Sequence, residues 1–154
     1  MGTQQILLIV LSVIIVGAAI AVGITMFNNQ SYSANKTSLA ADAQSFATQV
    51  VQYYKTPASQ GGADKTMANM TKKNISNFLG WGATSDTTGT ENGSYNVEVA
   101  TNDVYIYGLG KEVKGSSHPA IRTTITFPAG TISAKVIDTT KVSVAALAAS
   151  DFGS

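Results

Sequence analysis

From Ile6 to Phe27 the chain runs through Ile, Leu, Val, Ala, Gly, Met and Phe, with only Ser12 and Thr25 as polar members. A helix built from such a run is apolar on every side. At 1.5 Å per residue it measures roughly 33 Å, enough to cross the hydrocarbon core of a bilayer. Both hydroxyls can bond back to a carbonyl one turn earlier, so neither opposes insertion. After Phe27 the pattern stays helical but becomes one-sided. Leu39, Ala43, Phe46, Val50 and Tyr53 recur at steps of four, three, four and three, which makes a single apolar stripe. Gln44, Thr48, Gln49, Gln52 and Lys55 populate the other faces. Thr56-Pro57 ends the run, because a residue before proline is pushed out of the helical region. The polar patch Asn28-Asn29-Gln30-Ser31 holds neither Gly nor Pro. One helix is therefore expected from about residue 3 to 55, on the order of 75 Å long. Gly17 and Gly23 are its weak points, each costing roughly 1 kcal/mol relative to Ala.

The remaining residues, 56–154, predict a globular head. Pro57 to Gly62 reads as a loop, and Asp64 as the cap of a short helix at about 64–79. Met67, Met70, Ile75, Phe78 and Leu79 would form its apolar side, and Gly80-Trp81-Gly82 its end. Residues 83–94 are rich in Thr, Ser and Gly and read as an exposed loop. Alternation then predicts antiparallel strands over about 95–147. Tyr95–Val99 turns through Asn102-Asp103 into Val104–Tyr107, and residues 108–120 form a longer loop. Ile121, Thr123, Ile125 and Phe127 share one face of the next strand. Pro128-Ala129-Gly130 turns the chain into Thr131–Ile137, with Ile132, Ala134 and Val136 on one face. Val142–Leu147 is a candidate last strand. The fold class is α+β, a long N-terminal helix with its stripe laid on one face of a small antiparallel sheet, the other face turned to solvent.

Composition narrows the reading. Charged residues make up only 12% of the 154 residues, net charge is +1, and the first charged side chain is Lys36. That balance carries no electrostatic footprint for nucleic acid. Cysteine is absent, which excludes a disulfide framework and thiolate chemistry. A cleaved secretory signal needs a basic start and a short apolar stretch, and this segment has neither. A plain membrane anchor normally carries flanking Lys or Arg, and none lies close. A third reading is a helix that leaves the bilayer and packs against copies of itself. Gly17 and Ala21, like Ala19 and Gly23, are four residues apart, a spacing that lets helix backbones approach closely.

A wholly apolar front half (1–27), an amphipathic rear half (28–55) and a β-rich head (56–154) together resemble a type IV pilin. In that family a prepilin peptidase removes a basic leader, the new N-terminus is methylated, and the fifth residue is usually Glu. With Met1 as the first residue of the mature chain, Gln5 takes the place of that Glu. A cut after Gly2 would instead put Leu7 fifth. Gln5 has the reach of Glu without its charge, and its amide can accept a hydrogen bond from a neighbour's ammonium. No proline interrupts the apolar run and no C-terminal cysteine pair is present, both departures from many bacterial pilins. The resemblance implies an open, homopolymeric helical filament at the cell surface, serving adhesion or motility, with Met1 and Gln5 in processing and assembly. It implies a core packed from Ile6, Leu7, Ile9, Val10, Leu11, Val13, Ile14, Val16, Gly17, Ala21, Gly23 and Phe27. It also implies residence in the inner membrane before assembly, and a pilus assembly machinery as partner. The alternatives are a minor pilin or secretion-system pseudopilin, and a monomeric membrane-anchored binding protein.

Candidate chemistry is sparse, and the chain reads as neither an enzyme nor a cofactor or metal binder. His118 is the only histidine and reads as a loop residue. Asp103, Glu112 and Asp138 are scattered, so no acid–base pair follows. Gly108-Leu109-Gly110 lacks the rest of a phosphate loop and reads as a turn. Tyr53, Tyr54, Tyr95, Tyr105 and Tyr107 suit packing more than an adhesive surface. Asn-X-Ser/Thr triplets begin at Asn29, Asn35, Asn69, Asn74 and Asn92.

Overall fold

The structure is a computed structural model that describes residues 2–82 and 86–153. Helix α1 (Gly2–Lys55) is one uninterrupted α-helix, about 80 Å long at 1.5 Å per residue. Neither Gly17 nor Gly23 breaks it. The Ser12 and Thr25 hydroxyls donate back to the carbonyls of Ile9 and Val22, each at 2.8 Å. The helix ends as the residues before Pro57 require. Its last carbonyls would be left unpaired, but the following loop doubles back to meet them. The N–H groups of Ala63, Asp64 and Lys65 donate to the carbonyls of Tyr53, Thr56 and Tyr54 at 3.0, 2.9 and 2.8 Å.

That doubling back corrects the expected helix at 64–79. Asp64 and Lys65 sit at φ of 53° and 57°, left-handed values that cannot start a right-handed helix. Instead a single 3₁₀ turn, Met67–Asn69, precedes helix α2 (Lys72–Phe78). Thr71 caps α2, its Oγ1 accepting from the N–H of Asn74 at 3.2 Å. Gly80 closes it at φ 76°, where the N–H groups of Gly80 and Trp81 donate to the carbonyls of Asn77 and Ser76 at 3.1 and 2.8 Å.

The sheet is a five-stranded antiparallel meander in the order β1 (Thr87–Gly89), β2 (Gly93–Val99), β3 (Asp103–Gly110), β4 (His118–Thr126) and β5 (Thr131–Thr139). Three expectations are revised. Residues 86–94 are not all loop, since β1 and the start of β2 lie there; residues 83–85 fall outside the described residues. The expected loop at 108–120 is much shorter, because β3 continues through Gly108-Leu109-Gly110 and β4 begins at His118. The glycines are there for space. A Cβ on Gly108 would lie 2.8 Å from both Tyr95 Cε1 and Ile121 Cγ2, and one on Gly110 would overlap Asn35 of α1. Lastly, Val142–Leu147 is not a strand. It holds a 3₁₀ turn at Val144–Ala146, followed by another at Ala149–Phe152.

Helix α1 lies across β3 and β4 and buries Leu39, Ala43, Ala47 and Val50 against Val97, Val104, Ile106, Ile121 and Ile125. Of the expected stripe, Leu39, Ala43, Val50 and Tyr53 are buried. Phe46 is half-buried at the flank, edge-on to Trp81 and Tyr95 at 5.2 and 5.1 Å. The other sheet face is not simply open to solvent. Val144, Leu147 and Phe152 of the C-terminal segment pack on Tyr107, Leu109 and Ala120. Lys141 ties that segment down, donating to the Ala146 carbonyl and the Asp151 carboxylate, each at 2.7 Å.

Candidate assembly surface

Among the described residues, most of the exposed large apolar side chains lie on the front half of α1. Fifteen large apolar side chains between Ile6 and Phe27 are each 51–70% exposed, and none of the most apolar stretch is buried. The helix is long and apolar enough to cross a membrane. Ile6, Leu7, Ile9, Val10, Leu11, Val13, Ile14, Val16, Gly17, Ala21, Gly23 and Phe27 all stand clear of the head on this rod. At 100° per residue, Gly17 and Ala21 lie on one side of the rod while Ala19 and Gly23 lie nearly opposite. Close approach is therefore open on two sides at once, and a Cβ on either glycine would meet nothing within 4 Å. Gln5 is exposed near the tip. Met1 lies outside the described residues.

The rod becomes part of the head at Tyr32, the first buried residue along α1. Its hydroxyl donates to Asp138 Oδ1 at 2.8 Å, and the Lys36 ammonium pairs with the same oxygen. Lys36 also lies 5.2 Å from the centre of the Tyr32 ring. The Lys36 and Tyr32 hydrogen bonds hold the Asp138 carboxyl below its ordinary value, while burial and the neighbouring carboxylate push the Tyr32 hydroxyl well up. The charge nearest the apolar rod is thus neutralised against the head. One turn on, Asn35 donates its amide to the Asn92 carbonyl at 2.8 Å.

Asp42 forms a second tie. Its Oδ2 accepts from Asn92 Nδ2 at 2.8 Å, from the Tyr95 hydroxyl at 2.9 Å and from the Thr90 hydroxyl at 3.4 Å. Burial, then the Asp42 bond, push the Tyr95 hydroxyl far above its ordinary value. These polar ties fix α1 in register on the head, so the rod cannot slide. Neither tie is visible in an apolar-periodicity reading. The available signal was that Asp42 is the only acidic residue in α1.

The other candidates scatter. His118 opens β4, with Nδ1 3.3 Å from the Gly110 carbonyl oxygen. Asp103, at the start of β3, and Asp138, at the end of β5, are not brought together. Tyr53, Tyr54, Tyr95 and Tyr107 are buried, and Tyr105 is half-buried with the Arg122 guanidinium 5.9 Å from its ring centre. The Asn35 and Asn92 amides are engaged as described; Asn69 and Asn74, though exposed, donate theirs to the Ala63 and Asn69 carbonyls at 3.2 and 3.0 Å, and Asn29 is exposed. A shallow cleft of about 520 Å³ lies between Tyr53, Asn69, Asn74, Asn77 and Phe78, with no titratable pair in it.

No protein-family model, curated protein or solved structure matches this chain.

Proposed function

We propose that this chain is the structural subunit of an extracellular helical filament of the type IV pilus kind, polymerising through the front half of α1. The observation that carries this reading is a rigid apolar rod, exposed all round, that is one piece with a helix keyed into a folded head. Fully burying a large apolar side chain contributes about 1.5–3 kcal/mol. Fifteen such side chains, already partly shielded by their own helix, would supply roughly 15–30 kcal/mol if covered. That exceeds the estimated ~4–15 kcal/mol lost on association. Lipid would cover the rod before assembly and identical rods afterwards. Two features favour identical rods as the final cover. The residues that follow the apolar stretch, from Asn28 to Asn35, hold no charged side chain to fix it at a membrane interface. Small residues on opposite sides allow each rod two close neighbours, as a multi-helix core needs, whereas a dimer needs one. Repetition is head-to-tail and open. Gln5 would bond a neighbour's N-terminal ammonium without burying an unpaired charge, and a prepilin peptidase and assembly machinery would act before polymerisation.

Sheared cell-surface material should contain fibres built mainly of this chain. Recovery only as detergent-wrapped monomers would refute the filament and leave a membrane-anchored head. A fibre in which this chain is a minor component would assign it as a minor pilin or pseudopilin. Intact-mass measurement of the N-terminus tests for a methylated Met1.

A further inference from the structure

On its helix side the sheet has three lanes. Residues 57–82 cover the first, over β2, through α2 and Trp81. Helix α1 covers the second, over β3 and β4. Helix α1 also reaches the third, over β5, where Tyr32 and Lys36 bond Asp138, but Ile132, Ala134 and Val136 stay exposed. Ile132, Ala134 and Val136 are register partners of Ile125, Thr123 and Ile121 and share their face. The three partners are buried, whereas Ile132 and Val136 are 40% and 41% exposed and Ala134 is exposed as well. β5 is also a nine-residue edge strand with no neighbour on its outer side. Lys135, the only cation within it, alternates to the opposite face, so the lane carries no charge between Ile132 and Val136.

A second surface of the same molecule is unpartnered too. At 100° per residue, Ala34, Thr37, Ala41, Ser45, Thr48 and Gln52 form the outward face of the rear half of α1, and all six are exposed. The only charged residues from 28 to 54 are Lys36 and Asp42. Both are turned to the head, onto Asp138 and onto Asn92 and Tyr95. A solvated helix normally turns charge outward. This face is uncharged instead, with small side chains at Ala34, Ala41 and Ser45. On its inward side the same helix uses Ala43 and Ala47, fully buried, to approach the sheet closely.

We infer that the open β5 lane of one copy receives the outward face of the rear half of α1 from a second copy. The inference rests on the filament reading and names its lateral contact. Size selects the occupant. The three lane side chains expose roughly 200 Å², about a quarter of the ~800 Å² each partner contributes to a standard interface. So small a strip cannot recruit a partner alone. It works only if another contact delivers the partner repeatedly, and packing of the front halves delivers another copy of this chain at every step. Composition agrees, because neither surface would bury an unpaired charge.

The test uses the full chain in assembled fibres. With Ala41→Cys and Ala134→Cys together in one chain, oxidation should give a ladder of linked multimers on a non-reducing gel, and either substitution alone should give none. A second variant, Val136→Lys, alters a side chain that is 41% exposed in the free subunit. Circular dichroism of the detergent-solubilised subunit should be unchanged, while unpolymerised subunit in equilibrium with fibres rises at least tenfold. No ladder in the double variant, while it still forms fibres, would overturn the lane contact and leave the filament standing. A ladder from Ala134→Cys alone would also overturn it, because the lane would then face a second lane. Absence of fibres built from this chain would remove the filament reading, and the lane contact with it.

Discussion

Removing the residues before Asn28 should leave the head as stable as before and abolish its association. The front half makes no buried contact with the head, and Tyr32 is the first residue of α1 to do so. The new helix start loses only intrahelical bonds in solvent-facing turns, and Asn28 and Asn29 are residue types that favour a helix N-terminus. The expected cost is under ~1 kcal/mol, a melting-temperature shift of about 2–5 °C for a head of this size. A truncation before Ala40 should behave very differently. It deletes Leu39, which is fully buried, the Tyr32 and Lys36 bonds to Asp138, and the Asn35 amide bond to Asn92. Loss of a buried Leu alone costs about 2–5 kcal/mol. With the hydrogen bonds the total approaches the ~5–15 kcal/mol that holds a whole domain folded. Thermal unfolding by circular dichroism measures both shifts, and sedimentation velocity in detergent-free buffer measures association. A monomeric, cooperatively melting 28–154 chain beside an unfolded or barely folded 40–154 chain is the expected pair of results. If the 28–154 chain melts more than 10 °C lower or still forms large oligomers, the division of α1 into a free rod and a keyed half is wrong.

Other perturbations follow from single contacts. A double-mutant cycle on Asp42→Ala and Tyr95→Phe should give a coupling of about 0.5–1.5 kcal/mol in urea unfolding, the size of a typical intramolecular hydrogen bond; coupling under ~0.3 kcal/mol would mean that tie is idle. Gly108→Ala should destabilise by about 1–3 kcal/mol, because the added methyl enters space held by Tyr95 and Ile121 at 2.8 Å, and this outweighs the ~0.5–1 kcal/mol gained from a stiffer unfolded chain. Burial pushes the Tyr107 hydroxyl from 10.0 up to about 12. A raised value means stability that is complete below pH 10 and lost as pH rises, so the head should weaken between about pH 10 and 12, read by tyrosinate absorbance together with circular dichroism. The lowered Asp138 carboxyl acts in the opposite sense: its contribution is present above the ordinary carboxylate range and is lost in acid, and Asp138→Asn should remove that part of the acid sensitivity in the same titration.

Local pattern was enough for the long helix. Its apolar front, its one-sided rear and its stop at Thr56-Pro57 each depend on neighbours within a turn or two, and the stripe from Leu39 to Tyr53 already pointed to the sheet. Hairpin alternation likewise placed the centres of β2 to β5. The misread segments are those whose conformation is set by distant partners. Gly108-Leu109-Gly110 has turn composition, yet it is strand because its missing side chains make room for Tyr95, Ile121 and Asn35. Asp64 looks like a cap, but the loop that doubles back on the end of α1 holds it at φ 53°. Val142–Leu147 has strand-like residues, but its apolar side chains pack on the back of β3 and β4 instead of pairing with a sheet edge. The same division runs through the candidate surface. Composition alone marked residues 6–27 as apolar and uncharged. Only the folded chain decided that they stand clear of the head, because that depends on Asp42 meeting Asn92 and Tyr95 and on Tyr32 meeting Asp138, contacts that span some fifty to a hundred residues of chain.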